Sequence, residues 1–220
     1  MNLSDPFVAF DLETTGVDPF SALPVSYAIV GAGLDFYEIV NPGIPIPPSA
    51  MAIHGITDEM ASHGNDLLGA TQIMVDGLIH LWKSGHVLVG MNVSYDLTIL
   101  SCLCKKFNEP FQVGAVLDIL VLDRHYDKFR KGRRNLASLC KFYGVSLGDA
   151  HNAKADAQAC LDILTKMRGI YPFDINLSDN ALLRGWYQSW LWDFSCHQVN
   201  QGKEPIPKGR YEWPVHSEDS

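Results

Sequence analysis

The stretch that decides the fold is FVAFDLETTG, residues 7–16. Phe7, Val8, Ala9 and Phe10 run straight into Asp11 and Glu13, the pattern of a buried strand that ends by delivering two acids to one place. Side chains two apart on a strand share a face, so Asp11 and Glu13 project together while Leu12 points the other way into apolar packing. Thr14, Thr15 and Gly16 then turn the chain out of the sheet. Two carboxylates at the end of a buried run repel each other unless a positive charge lies between them. Carboxylate oxygens suit Mg²⁺ or Mn²⁺ better than they suit zinc, so a hard divalent cation is the simplest answer to that repulsion. A strand end followed by a solvated loop acid would leave the same pattern, and the rest of the chain has to decide between the two.

With 220 residues, 47% of them hydrophobic and 19% charged, the chain is long enough to bury a full core as one domain with an appendage. The start MNLSDPFVAF has neither the basic opening nor the long apolar run of a signal peptide, and no run of about twenty apolar residues offers a membrane span. The expectation is a cytoplasmic protein with no membrane partner. Cys102, Cys104, Cys140, Cys160 and Cys196 form an odd set without a C-x-x-C pair, and they read as reduced core residues. A net charge of −8 and a pI near 5.4 argue against a surface coated in positive potential to grip long nucleic acid. Local engagement of a short piece of nucleic acid stays open.

Val25 to Val30 and Leu34 to Val40 are β-branched and aromatic runs separated by Gly31-Ala32-Gly33, the pattern of a hairpin that makes three sequential antiparallel strands. Residues 41–50 hold four of the twelve prolines and read as a surface loop, either a rigid connector or a polyproline motif. Thr57-Asp58-Glu59 opens a short helix, Thr71 to Trp82 carries a helical apolar face, and His86 to Gly90 returns as a strand. From Ser94, a candidate N-cap, Asp96, Leu100, Leu103 and Phe107 fall on one helical stripe. Asp96 therefore sits on an apolar face, where an unpaired carboxylate is costly without a cation, hydrogen bonds or an open cleft.

A short strand into a helix follows within GAVLDILVLDRHYD, then a helix over Asn135 to Val145 ended by Gly144. The helix from Ala153 to about Met167 repeats the anomaly, because Asp156 shares a stripe with Cys160, Ile163, Leu164 and Met167, and His151 immediately precedes it. Beyond Gly169, YPFDIN reads as a linker, Leu182, Trp186, Trp190 and Phe194 as the docking face of one more helix, and the chain from Gln201 as a tail containing proline and glycine. The expected division is one domain over residues 1–170 and an extension over 171–220. The order of elements points to an α/β fold with a mixed sheet of about five strands flanked by helices.

FDLETTG, NVSYDLTIL (92–100) and HNAKADAQA (151–159) resemble the three motifs of the DnaQ-like, or DEDDh, exonucleases, which include the proofreading subunit of bacterial DNA polymerase III and stand-alone bacterial and phage enzymes. AIHGIT (52–57) resembles a further signature of that family, and the likeness covers Phe7 to about Arg168. The resemblance implies an RNase H-like sheet, two Mg²⁺ or Mn²⁺ ions, and removal of nucleoside 5′-monophosphates from a 3′ end. It makes Asp11, Glu13, Asp96 and Asp156 the metal ligands and His151 the base that takes a proton from the attacking water, and the spacing from His151 to Asp156 belongs to the histidine branch. It also implies that Ile53 and His54, with the backbone near Leu12 and Thr15, form the pocket for the terminal nucleotide.

The implied partner is a single-stranded 3′ end, DNA ahead of RNA, with room for a DNA polymerase. An RNA-trimming enzyme and an inactive binding module are the alternatives. The one basic cluster, Arg124, Lys128, Arg130, Lys131, Arg133 and Arg134, holds six of the seventeen Lys and Arg residues. It is either a solvated loop or, through Arg133 and Arg134, a holding point for the phosphates of the strand.

Overall fold

The computed structural model describes residues 6–148, 151–173 and 179–218. Its first half runs β1 (Phe7–Thr14), β2 (Pro24–Gly31), β3 (Leu34–Asn41), α1 (Pro48–His54), α2 (Asp58–Ser62), β4 (Asn65–Asp66), α3 (Leu67–Lys83), β5 (Val87–Gly90) and α4 (Ser94–Phe107). The second half runs β6 (Val116–Asp118), α5 (Ile119–Tyr126), α6 (Leu136–Tyr143), α7 (Ala153–Ile170) and α8 (Asn180–Asn200), with a 3-10 turn at Lys208–Tyr211.

Among the described residues one sheet orders its strands β4-β3-β2-β1-β5-β6. The apolar run of β1 is fully covered, and it sits between an antiparallel neighbour, β2, and a parallel one, β5. The β2–β3 hairpin turns on Ala32 and Gly33, with φ of 50° and 84°. Positive φ at both central residues is what a turn matching the strand twist requires. The expected α/β sheet is present, with one strand more than the five expected. The extra strand, β4, is two polar residues pairing only with Val40 and Asn41, too short and too polar to show in a hydrophobic pattern.

Three local expectations change. The proline-rich connector stops earlier than residue 50, because α1 begins at Pro48, where a missing N–H costs a helix nothing. Ser94 is the first helical residue of α4 and not its cap. The cap position is Val93, and the preceding N–H groups of Asn92 and Val93 donate instead to Oδ1 and Oδ2 of Asp118, at 3.0 and 3.1 Å. On α8 the buried stripe is Leu183, Tyr187, Leu191 and Ser195, one residue on from the expected stripe, and Leu182 and Phe194 are exposed. Two neighbouring apolar stripes compete there. Tyr187 wins because its hydroxyl reaches the Arg210 carbonyl at 2.9 Å, while Trp186 stacks on His125 at the rim and Trp190 lies under Arg124.

The chain after α8 packs back on the domain. Trp213 is buried, Arg184 Nε donates to its carbonyl at 2.9 Å, and the His216 N–H donates to Thr98 Oγ1 on α4 at 2.9 Å. The second half of the linker expected at YPFDIN lies outside the described residues. Cys104, Cys140 and Cys160 are buried as expected, whereas Cys196 is exposed on α8. Among the described residues no helix is long and apolar enough to cross a membrane.

Candidate active site

β1 outruns its parallel neighbour. Pairing with β5 ends at Ala9 and Val89, so Asp11 and Glu13 project beyond the point where the chain after β5 turns, through Asn92 in the left-handed region, into α4. The first turn of α4 fills the space a longer β5 would take, and the Leu12 N–H donates to Asp96 Oδ1 at 3.2 Å. From the other direction α7 packs across β1 and β2 and presents Asp156 in its own first turn. Asn152 caps that helix, accepting from the Lys154 N–H at 3.1 Å. His151 stands at φ 63° just before that helix, and its backbone favours the Asp156 anion. Glu13, His151 and Asp156 each offer a ligand atom, all within 4.8 Å of one another.

The acids repel one another strongly. Burial, then the charges of Asp96, Asp156 and Glu13, push the Asp11 carboxyl well above the ordinary range. Burial also pushes Asp96 well above it, against the N–H groups of Asp96 and Leu12 that favour the anion, and Asp118 and Glu13 add to the rise. Glu13 is pushed up to about 7 by burial and then by Asp156. Burial raises Asp156 too, opposed by His151. One oxygen of Asp156, Oδ1, is buried without a hydrogen-bond partner. A converging set of carboxylate oxygens, mutually repelling and with one orphaned, fits hard divalent cations.

Beside these acids lies a cavity of about 440 Å³ lined by Leu12, Glu13, Thr14, Tyr95, Ile53 and His54 among others. Ile53 and His54 reach it from the end of α1. His54 Nδ1 accepts from the Ile56 N–H at 3.1 Å, which directs Nε2 inward. Burial holds its proton affinity below the ordinary histidine range, against the Thr14 backbone and helped by His151.

The family model described as Exonuclease matches residues 8–164. The chain belongs to this exonuclease family. Asp11, Glu13, Asp96, Asp156 and His151 all lie within the matched stretch. The exonuclease is 30% identical over 170 residues to DNA polymerase III PolC-type of Bacillus subtilis, a match that covers 74% of this chain and 11% of that protein. It thus spans about a tenth of the length of such relatives. In fold it is similar to E. coli exonuclease I in complex with a dA16 oligonucleotide, with a TM-score of 0.63, 18% identity, and coverage of 84% of this chain and 42% of that one. It is similar too to the nuclease domain of 3'hExo, a DEDDh family member, bound to rAMP, with a TM-score of 0.61, 16% identity, and coverage of 74% and 91%.

Two residues named from the sequence hold the exonuclease's own chain together. Thr14 and Gly16, on either side of Thr15, line the cavity, while the Thr15 N–H donates to the Leu23 carbonyl at 2.9 Å and its Oγ1 accepts from the Leu23 N–H at 3.0 Å. Arg134 is turned inward. Its guanidinium pairs with the buried Asp123 carboxylate and donates to the carbonyls of Asp123 and Asp127 at 3.0 and 2.6 Å, so only Arg133 of the pair is exposed.

Two other residues of the exonuclease escaped the sequence reading. The Tyr95 hydroxyl lies 2.7 Å from Thr14 Oγ1, and both side chains donate to the Gly16 carbonyl, which shapes the cavity wall. Burial pushes the Tyr95 phenol up to about 12, so it stays a neutral donor. The second is Asp118, whose carboxylate ties β6 to the entry of α4 and accepts from the Leu120 N–H at 2.8 Å. Its one visible signal was a buried run, Val116-Leu117, that ends in an acid, as β1 does.

Proposed function

We propose that this exonuclease hydrolyses phosphodiester bonds at the 3′ end of single-stranded DNA, releasing nucleoside 5′-monophosphates with two Mg²⁺ or Mn²⁺ ions. The observation that carries the reading is the convergence of Asp11, Glu13, Asp96, Asp156 and His151 at the edge of a cavity large enough for one nucleotide. The likeness to PolC-type DNA polymerases supports DNA as substrate and a DNA polymerase as partner.

In this reading the terminal nucleotide enters between α1 and the end of β1. Ile53 and Leu12 give its apolar faces contact, and His54 offers a neutral ring to its polar edge. The four acids would hold the cations, with Asp11 between the others. When bound, such ions neutralise phosphate charge, lower the pKa of water and stabilise the leaving oxygen. His151 stands at the exposed rim beside Glu13 and Asp156, where a ring nitrogen takes the proton of the attacking water and Asp156 steadies the resulting imidazolium. The leaving group is the 3′ oxygen of the next nucleotide, which becomes the new end.

The test is incubation of the pure protein and Asp11→Asn with Mn²⁺ and 5′-labelled single-stranded DNA, duplex DNA or RNA of one sequence. Wild type should produce a ladder shortening from the 3′ end, fastest on single-stranded DNA, and Asp11→Asn should retain less than roughly a tenth of the rate. Full-length products throughout, or an active Asp11→Asn, would overturn the reading. A faster ladder on RNA would move the substrate to RNA and keep the chemistry.

A further inference from the structure

Between α5 and α6 the chain exposes 89% of the Phe129 side chain, among the exposed cations Lys128, Lys131 and Arg133. An aromatic ring left in water contributes nothing to the core and invites aggregation, so packing does not account for it. Nor is the turn loose. The Asp123 carboxylate beneath it is fully buried, takes Arg130 Nη2 at 2.7 Å and Arg134 Nη1, and accepts from the Tyr143 hydroxyl at 2.8 Å. Arg134 Nη2 ties down the carbonyls of Asp127 and Arg130, and Arg130 Nη1 reaches that of Arg133. The two inner arginines are therefore consumed in building the turn. Lys131 and Arg133 make no hydrogen bond or ion pair through their side chains among the described residues, and Lys128 has only an exposed pairing with Asp193 at 3.6 Å.

The position of this turn matters as much as its composition. It leads directly into α6, which packs against α7, the helix that carries Asp156. Eight helical residues span about 12 Å, so α6 is a short link between the turn and the helix that carries Asp156. On a chain with a net charge of −8, the turn gathers free positive charge, whereas the acid cluster repels phosphate when no cation is bound.

We propose that Phe129, Lys131 and Arg133 form a platform for the single strand a few nucleotides upstream of the cleaved end, with a base stacked on the Phe129 ring and the two cations on the flanking phosphates. This rests on the function proposed above and adds a second hold on the strand. Stacking on a lone aromatic tolerates any base, which suits an enzyme whose strand must advance one nucleotide per turnover. Fixed cations supply the affinity, and the anchored arginines keep the platform from rearranging as the strand moves.

Two measurements on the full chain test it. Binding of a short 5′-labelled oligothymidylate is followed by anisotropy in EDTA across a salt series, and hydrolysis of the p-nitrophenyl ester of thymidine 5′-monophosphate is followed with Mn²⁺. The ester is one nucleotide long and cannot reach the platform. Phe129→Ala should weaken oligonucleotide binding roughly 5- to 100-fold. Lys131→Ser with Arg133→Ser should reduce the salt slope by about 0.7 log units for each phosphate the protein no longer neutralises. Both variants should hydrolyse the ester at the wild-type rate. Wild-type affinity and slope in both variants would overturn the platform while wild type still cuts, and so would a loss of ester hydrolysis matching the loss of binding. If wild type itself cuts neither oligonucleotide nor ester, the function reading fails and the platform with it.

Discussion

The backbone N–H of Leu12 donates to Oδ1 of Asp96 at 3.2 Å, joining the acid strand to the first turn of α4. Where β5 stops, a side chain takes over the role of a neighbouring strand. The same bond that satisfies a buried amide thereby fixes one acid of the cluster against two others. Asp118 supports this join from below by holding the Asn92 and Val93 amides.

Asp118→Ala should therefore cost both stability and activity. Three backbone N–H groups, those of Asn92, Val93 and Leu120, lose their acceptor in a buried place, at a cost on the order of 3 kcal/mol. Urea denaturation should show a lower midpoint, and the cleavage rate of the folded variant should fall at least about tenfold as Asp96 drifts. An unchanged midpoint with an unchanged rate would remove Asp118 from any supporting role.

Metal-free protein should be less stable at alkaline pH, in part through Glu13. Its carboxyl is pushed from 4.5 to about 7 in the folded state, so folding binds its proton more tightly. Its contribution is fully present below about pH 4.5 and is lost as the pH rises through about 7. His54 and His216, whose proton affinities burial lowers, act in the opposite sense near the same pH. Comparison with Glu13→Gln isolates the acid. In EDTA the variant should melt above wild type at about pH 8, with the gap closing towards about pH 5, and saturating Mn²⁺ should reverse it. A gap that does not vary with pH would contradict the repulsion described for the site.

His151→Ala separates a base from a ligand. If the ring accepts a proton, the rate should fall roughly 10²- to 10⁴-fold with Mn²⁺ affinity nearly intact. Because the ring lies within 4.8 Å of the Glu13 and Asp156 oxygens, calorimetry is the deciding measurement. Loss of ion binding in parallel with activity would make it a ligand.

Arg133 and Arg134, adjacent in sequence, should behave oppositely. Arg134→Ser leaves the buried Asp123 with a single guanidinium partner and frees the carbonyls of the turn, a loss of roughly 3 kcal/mol visible in the melting temperature. Arg133→Ser should leave the melting temperature alone and lower only the salt dependence of strand binding. Equal melting shifts in the two would refute this division.

Much of the site was legible in the sequence because a buried charge breaks a pattern that is otherwise apolar. Asp11 and Glu13 close a run of four hydrophobes, and Asp96 and Asp156 occupy stripes where leucine would serve packing better. Such placements are too costly to persist without a task, so they stand out from a single chain. The strands β1, β2, β3 and β5 and the helices that carry these acids follow local periodicities and were found for that reason.

Contacts between residues far apart in the chain leave no such trace. The pairing of Thr15 with Leu23, the turn of Arg134 towards Asp123 and the choice of Leu183 and Tyr187 over Leu182 and Trp186 depend on what the rest of the fold brings alongside. Two stripes of equal hydrophobicity, or two adjacent arginines, are degenerate in sequence. Only the neighbour that completes a hydrogen bond or buries a ring breaks the tie, and that neighbour is supplied by tertiary structure.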